Sequence, residues 1–253
     1  MVAQTLPRPR QRRLRRGLYL LPSLFTLGNI FLGFYAVVRA LREDYRVAGI
    51  AIIAAAVLDA LDGRIARLTG TESEFGKQYD SLADVLTFGS APALVAYLWG
   101  LHEIPRLGWL VCFFFIVCGA TRLARFNVQT RVVDSRYFAG LPIPAAAGVV
   151  ATFLLVAPDR DARLWLDGVL LVALVTVGLL MVSTFRYPSF KKIDFAKRRS
   201  YRLALLLAAM LALVVYRPSI VLATLAVLYT LSGPALWALG RVRRPGARGA
   251  GET

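Results

Sequence analysis

The stretch from residue 47 to residue 68 reads Val47-Ala-Gly-Ile-Ala-Ile-Ile-Ala-Ala-Ala-Val-Leu-Asp59-Ala-Leu-Asp62-Gly63-Arg-Ile-Ala-Arg-Leu68. Its first twelve residues carry no charged side chain, and its length suits a helix that crosses a bilayer, which takes about 20 residues. Asp59 and Asp62 then follow three residues apart, so they share one helix face. An ionised group inside a membrane is costly and usually functional. The stretch therefore predicts a membrane-spanning helix with a functional site near one end.

The composition of the whole chain agrees with this interpretation. Of its 253 residues, 57% are hydrophobic and 18% are charged, whereas soluble domains have roughly 45–50% and about 25%. Lys and Arg number 31 against 15 Asp and Glu, so the net charge is +16. The apolar content excludes a disordered chain, and two cysteines, Cys112 and Cys118, exclude a disulfide scaffold. We expect an all-α integral membrane protein whose basic residues lie in its loops, with membrane lipids and not nucleic acid as its surroundings.

Eight apolar segments predict about eight transmembrane helices. They lie at residues 23–40, 47–68, 80–100, 107–126, 141–157, 165–186, 202–216 and 219–240. The seventh segment is short, and a six-helix core with extra helices is the alternative count.

The basic residues predict how these helices are oriented. They concentrate in an N-terminal arm (residues 1–22), in the loops after the fourth and sixth segments, and in a tail (residues 241–253) that we predict to be disordered. These regions lie on one side of the membrane if the number of segments is even. An excess of Lys and Arg marks the cytoplasmic side, so both termini are predicted to be cytoplasmic.

Carboxylates cluster in two consecutive segments. Asp59 and Asp62 lie in the second, while Gly76, Asp80 and Asp84 follow a four-residue spacing into the third and share another helix face. Two adjacent antiparallel helices could bring all four acids to one point. Such a cluster needs cations, and oxygen ligands suit Mg²⁺ or Mn²⁺. Two such ions can hold a phosphoryl group during its transfer.

The neighbouring residues fit phosphate chemistry. Gly63 and Ala66 leave space beside the acids for a large ligand, and Arg67 can donate hydrogen bonds to a phosphate. Asp84, the last acid of the series, is available to accept a proton from an attacking hydroxyl.

The complete pattern resembles the signature of the CDP-alcohol phosphotransferases, which are integral membrane enzymes. It consists of Asp59-x-x-Asp62-Gly63-x-x-Ala66-Arg67, eight further residues, and Gly76-x-x-x-Asp80-x-x-x-Asp84. Family members move a phosphatidyl or related group from a CDP-linked donor to an alcohol and release CMP. Thr121 to Asn127 and Gly140 to Gly148 are similar to members that use serine as the alcohol, and the likeness extends from about residue 18 to residue 200.

The resemblance implies roles for these residues. Asp59, Asp62 and Asp80 would hold two divalent ions, and Asp84 would contact a metal and act as the general base. The CDP group would be bound by the residues of the signature: Asp59, Gly63, Ala66, Arg67 and Gly76. It also implies a catalytic core at 23–200, two additional helices at 201–240, an active site on the cytoplasmic side of a bacterial or archaeal cell membrane, and a homodimer.

The predicted substrates are CDP-diacylglycerol and L-serine. Basic residues near the cytoplasmic ends of the helices are candidates for binding the serine carboxylate or the lipid phosphate: Arg122, Arg125, Arg186 and Lys191. Arg122 and Arg125 are three residues apart and deep enough in the fourth segment to favour a ligand, whereas flanking residues such as Lys191 also serve topology alone.

Three other functions remain open. The same family transfers to other alcohols, such as glycerol 3-phosphate, inositol phosphate or choline. Membrane prenyltransferases also combine Asp-rich motifs with Mg²⁺, although those motifs normally lie far apart in the chain. A cation channel or transporter would use the acids as an ion site, but it leaves Arg67 and Gly76 unexplained.

Overall fold

The computed structural model describes residues 9–69, 73–129, 137–159, 164–188 and 215–242, together with a few residues between 205 and 213. Within these ranges the protein consists almost entirely of helices. They are α1 (Pro9–Ala40), α2 (Tyr45–Thr69), α3 (Glu74–Asp84), α4 (Ala91–Trp99), α5 (Leu107–Gln129), α6 (Ile143–Val156), α7 (Leu164–Val182) and α8 (Pro218–Val242). A π-helical turn at Val85–Ser90 joins α3 to α4, and a short 3₁₀ turn at Leu101–Glu103 precedes α5.

In the described part of the chain, four continuous helices are long and apolar enough to cross a membrane. They are Glu74–Trp99, Leu107–Val128, Trp165–Val182 and Pro218–Leu239. Two shorter apolar helices, Leu24–Ala40 and Ile143–Val156, accompany them. Apart from one short two-stranded sheet, the described residues are helical, and their long apolar helices are those of an integral membrane protein, as the composition predicts.

Among the described residues, helices occur at seven of the eight predicted positions, and three of the predicted boundaries are wrong. The first helix begins at Pro9 instead of residue 23, so residues 9–22 of the predicted basic arm continue α1. Arginine is a good helix former, so the helix extends beyond its apolar run. The third segment begins at Glu74 instead of residue 80, because the side chain of Ser73 caps the helix by accepting a hydrogen bond from the backbone N–H of Gly76 at 3.0 Å. The first turns of this helix are polar, so the apolar segment that predicts a start at residue 80 does not include them. The predicted segment 202–216 lies largely outside the described residues.

The sixth segment ends at Val182 instead of residue 186. Beyond it, Arg186–Pro188 (β2) pairs antiparallel with Tyr137–Ala139 (β1), in a register that places Phe138 opposite Tyr187. The chain therefore leaves the helix to make a two-stranded sheet. Tyr187 anchors this sheet to α8, because its buried hydroxyl donates a hydrogen bond to the carbonyl of Thr230 at 3.0 Å.

Small residues set the close packing of the helices around α2. α2 packs along α1 and against α6, and α6 packs in turn against α8. A Cβ atom at Gly49 would lie 2.8 Å from the backbone oxygen of Ala151, so the backbones of α2 and α6 meet there with no side chain between them. The large buried side chains Trp99, Phe88 and Phe115 fill the remaining interior.

The turn between α1 and α2 is held by charge. Arg39 donates a hydrogen bond to the carboxylate of Asp44, which also accepts from the backbone N–H of Val47 at 3.2 Å. The bond from Arg39 and then the bond from Val47 hold the pKa of Asp44 below its ordinary value. Asp44 is therefore the N-cap of α2, which begins at Tyr45.

Candidate active site

Three carboxylates from two helices converge at one point. Asp59 projects from α2, and Asp80 and Asp84 lie one helical turn apart on α3. One carboxylate oxygen from each of the three lies within 4.8 Å of the other two. Three like charges at this separation repel one another strongly unless a cation joins them. The structure therefore brings together three of the four acids that the sequence selects.

The surroundings of these acids fit a bound divalent cation. Asp84 has one buried carboxylate oxygen with no hydrogen-bond partner among the described residues. A buried oxygen of this kind is costly unless a ligand or an ion satisfies it. Hard cations such as Mg²⁺ and Mn²⁺ prefer carboxylate oxygens. Because each offers a carboxylate oxygen, Asp59, Asp80 and Asp84 are a suitable set of ligands for such an ion.

Asp62, the fourth acid, is held by α1. It is 6% exposed, and its carboxylate accepts a hydrogen bond at 3.0 Å from the hydroxyl of Thr26. Its other oxygen is buried and has no hydrogen-bond partner among the described residues. Its charge acts on Asp80, so the two carboxylates are neighbours. Asp62 lies beside the group of three, with one oxygen still available to a ligand.

A second contact ties α1 to the acid-bearing helices. The hydroxyl of Thr87, in the π-helical turn after Asp84, donates a hydrogen bond to the carbonyl of Asn29 at 3.2 Å. The side-chain amide of Asn29 is buried, and neither of its polar atoms has a partner among the described residues. Together with the Thr26–Asp62 bond, this contact fixes α1 against both α2 and the end of α3.

Gly63, in the first part of the signature motif, leaves room for a ligand. A Cβ atom built at Gly63 would meet no atom within 4 Å. This position is one residue after Asp62 on an exposed part of α2. Gly76, in contrast, lies against the capping hydroxyl of Ser73, 3.0 Å from its virtual Cβ. Gly63 therefore keeps space free beside the acids, while Gly76 allows the tight start of α3.

Arg122 places a positive charge next to the acids. It lies on α5, is 7% exposed and interacts electrostatically with Asp84. Its guanidinium carbon is 5.9 Å from the centre of the Phe126 ring, and its Nε has no hydrogen-bond partner among the described residues. A buried guanidinium beside a carboxylate cluster suits an anionic substrate group.

Arg125 has a different position. Its guanidinium donates hydrogen bonds to the carbonyls of Val182 at 2.9 Å and of Ala139 and Ser183 at 3.0 Å. These acceptors belong to the end of α7, the residue after it and the last residue of β1, so Arg125 links α5 to α7 and to one end of the sheet. In the structure, its donors are engaged with the backbone.

Tyr229, which belongs to none of the sequence motifs, also lies near the site. It belongs to α8 and interacts electrostatically with Arg122, and its ring centre is 5.7 Å from that of Tyr187. Tyr229 and Thr230 are adjacent polar residues in a helix that also contains Ser219, Thr224 and Ser232, so the sequence pattern alone does not single out Tyr229.

Comparison with known proteins agrees with this geometry. A family model described as CDP-alcohol phosphatidyltransferase matches residues 19–185, about two thirds of the chain. The chain belongs to the CDP-alcohol phosphatidyltransferase family. The matched region ends before β2 and α8, so the helix that carries Tyr229 lies beyond it.

Curated relatives extend the similarity over most of the chain. A CDP-diacylglycerol–serine O-phosphatidyltransferase from Helicobacter pylori is 42% identical over 87% of this chain and 92% of its own length. A protein of the same name from Bacillus subtilis is 34% identical over 68% of this chain and 92% of its own length. An archaetidylserine synthase from Methanothermobacter thermautotrophicus is 34% identical over 66% of this chain and 69% of its own length.

Some residues of the family signature lie where only the backbone is described. Ala66 and Arg67 continue α2, which extends to Thr69, and Arg186 lies in β2. Their side chains are outside the described part of the structure, and Lys191 is entirely outside it. The roles assigned to these four residues remain predictions.

Proposed function

We propose that this family member transfers the phosphatidyl group from CDP-diacylglycerol to the hydroxyl of L-serine, giving phosphatidylserine and CMP. The observation that carries the proposal is the convergence of Asp59, Asp80 and Asp84 within 4.8 Å beside the buried Arg122. The names of both the bacterial and the archaeal relatives specify serine, which supports this acceptor over glycerol 3-phosphate, inositol phosphate or choline.

Two divalent ions, Mg²⁺ or Mn²⁺, would be held by Asp59, Asp62, Asp80 and Asp84. When bound, such ions neutralise the charge of a diphosphate and stabilise the charge that develops as it is cleaved. The single oxygens of Asp62 and Asp84 that lack partners in the described part of the chain support this assignment.

The chain's own residues would then carry out the transfer. Asp84 accepts the proton of the serine hydroxyl, and the serine oxygen forms a bond to the phosphorus that bears diacylglycerol. The bond from that phosphorus to the CMP oxygen breaks, and CMP leaves with the electron pair. Asp59, Gly63, Ala66, Arg67 and Gly76 would bind the CDP group and hold its diphosphate next to Asp84.

The acceptor site is proposed around Arg122. Its guanidinium lies beside Asp84 and retains a buried Nε without a partner among the described residues, so it can pair with the serine carboxylate. Arg125 instead cross-links backbone carbonyls near the site. Arg186 and Lys191 complete the predicted basic set on the same side of the membrane.

The arrangement in the membrane is part of the proposal. The basic segments place both termini and the active site on the cytoplasmic side of a bacterial or archaeal cell membrane. The core would be residues 23–200, with six helices, and two additional helices at 201–240 would complete about eight spans. The basic arm at 1–22 and the tail at 241–253 would lie at the cytoplasmic surface, and the functional unit would be a homodimer.

An acceptor panel tests the proposed function. Purified protein receives CDP-diacylglycerol, Mg²⁺ or Mn²⁺, and one of four alcohols: serine, glycerol 3-phosphate, inositol phosphate or choline. We expect CMP release with serine and none above background with the other three. Release that depends on another alcohol would keep the family and refute the acceptor. No release with any alcohol would refute the proposed chemistry.

A further inference from the structure

A groove of about 390 Å³ lies between α2, α6 and α8, and none of the four acids of the candidate site lines it. This volume is within the range of about 300–1,000 Å³ that is typical of small-molecule sites. Its lining is apolar except for Thr152 and Arg64, and α2 contributes Ile53, Ala56 and Ala60. The groove is therefore a site with one charged residue and an otherwise hydrophobic wall.

Small residues make the groove deep enough for a hydrocarbon chain. Ala56 and Ala60 lie one turn apart on α2, and Gly148 faces them from α6. A Cβ atom at Gly148 would meet nothing within 4 Å, so this part of the helix surface borders empty space. α8 forms the remaining wall with Leu222 and Ala226.

The length of the groove corresponds to one leaflet of a bilayer. Arg64 follows Ile53 by eleven residues, about 16 Å along a helix at about 1.5 Å per residue. Half of a hydrocarbon core of about 30 Å is about 15 Å. Arg64 is nineteen residues beyond Tyr45, the start of α2, which corresponds to about 29 Å and places the guanidinium at a membrane surface.

Arg64 is suited to an anionic head group. Its side chain is exposed, and it makes no hydrogen bond or ion pair with any residue that the structure describes. It follows Asp59 by five residues, which is a rotation of about 140° around the helix at about 100° per residue. The guanidinium consequently lies on a different face of α2 from the catalytic carboxylates.

We infer that this groove binds one anionic glycerophospholipid in addition to the lipid donor. One acyl chain lies along α2 between α6 and α8, and the phosphate pairs with Arg64. The charge of Arg64 selects anionic over zwitterionic lipids, since a guanidinium pairs with phosphate and an ammonium on the head group would oppose it. One wall of the groove is formed by α8, which lies beyond the region that matches the family model.

Native mass spectrometry of the purified, delipidated full chain tests this inference. Phosphatidylglycerol or phosphatidylcholine is titrated into wild-type protein and three variants. Arg64→Gln removes the charge, and Gly148→Leu fills the groove from a position with free space. Arg46→Gln is the matched control, because it changes an exposed arginine at the other end of the same helix. Thermal unfolding of each variant checks that it is folded.

We expect wild-type protein and Arg46→Gln to retain one phosphatidylglycerol. Arg64→Gln should weaken that binding about tenfold, the loss of one charge-assisted contact, without changing the binding of phosphatidylcholine. Gly148→Leu should weaken both. Equal phosphatidylglycerol affinity in Arg64→Gln and wild-type protein would overturn the inference.

The kinetics of the same variants distinguish this lipid from the donor. If kcat/KM for CDP-diacylglycerol falls in parallel with phosphatidylglycerol binding, the groove belongs to the donor and the inference of an additional lipid is overturned. Since lipid binding is measured without the reaction, failure of the proposed serine transfer would leave this test unaffected.

Discussion

Replacing Asp84 by Asn tests whether this carboxylate binds a metal ion or only stabilises the fold. Asp84 lies within 4.8 Å of both Asp59 and Asp80, measured between carboxylate oxygens. Two like unit charges at that distance repel by about 3.5 kcal/mol at an effective dielectric constant of about 20. Arg122 offsets part of the repulsion on Asp84. We therefore expect removal of this charge to relieve about 3 kcal/mol in metal-free protein, at a pH high enough for all three acids to be ionised.

The expected result is a change of opposite sign in stability and in activity. A relief of about 3 kcal/mol corresponds to a rise in Tm of roughly 6–12 °C for a chain of this size. The same substitution removes one of the four proposed anionic ligands, so the affinity for Mg²⁺ or Mn²⁺ should fall about 100-fold. Transfer should be lost, because no general base remains, while binding of CDP-diacylglycerol is largely retained.

Thermal unfolding in detergent, first with a chelator and then with increasing Mg²⁺ or Mn²⁺, measures both effects. Glu74→Gln is the control, since its side chain is 86% exposed on the same helix, away from the group of three. It should match wild-type protein in every measurement. The reasoning would be refuted if Asp84→Asn were no more stable than wild-type protein without metal and responded to metal to the same extent. Full activity would refute the assignment of the base.

Three further substitutions test the supports of the site. Arg122→Gln should raise the KM for serine about 10- to 100-fold, the value of one or two charge-assisted hydrogen bonds, as steady-state kinetics would show. Thr26→Val removes the donor to Asp62 and should lower stability by about 1–3 kcal/mol in a denaturation measurement. Gly233→Ala places a Cβ 2.4 Å from the Tyr187 ring and should destabilise the packing of α8 by about 1–3 kcal/mol, seen as a lower Tm.

Each of these has a conservative control. Arg122→Lys keeps the charge but loses the forked geometry, so it should recover only part of the serine affinity. Thr26→Ser keeps the hydroxyl and should match wild-type stability. Gly168→Ala adds a methyl group where nothing lies within 4 Å, and it should be neutral. An equal loss of stability in Gly168→Ala and Gly233→Ala would contradict the contact assigned to Tyr187.

Local sequence patterns predicted the helices because each apolar segment carries its own signal. Asp59, Asp80 and Asp84 could be selected for the same reason: helical spacing fixes which face each occupies, and a short loop makes α2 and α3 neighbours. The spacing of the acids could not show that the carboxylate of Asp62 accepts a hydrogen bond from α1, since the Thr26–Asp62 bond joins residues 36 positions apart.

Long-range contacts explain the remaining differences. The pairing of β1 with β2 depends on two three-residue segments that have no strand pattern of their own. Arg125 was interpreted as a substrate ligand because it lies three residues from Arg122, yet its donors contact carbonyls of residues 14 to 58 positions away. Tyr229 lies near Arg122 because α8 packs against α6 and is tied to the sheet by the Tyr187–Thr230 hydrogen bond.

The most direct test of the proposed reaction is its stoichiometry. Purified protein is given CDP-diacylglycerol, Mg²⁺ or Mn²⁺, and isotopically labelled serine, and labelled lipid and CMP are measured in the same sample. We predict one CMP released for each serine incorporated into lipid, with neither product formed by Asp84→Asn. CMP release without incorporation of serine, or with equal yield when serine is omitted, would contradict the account.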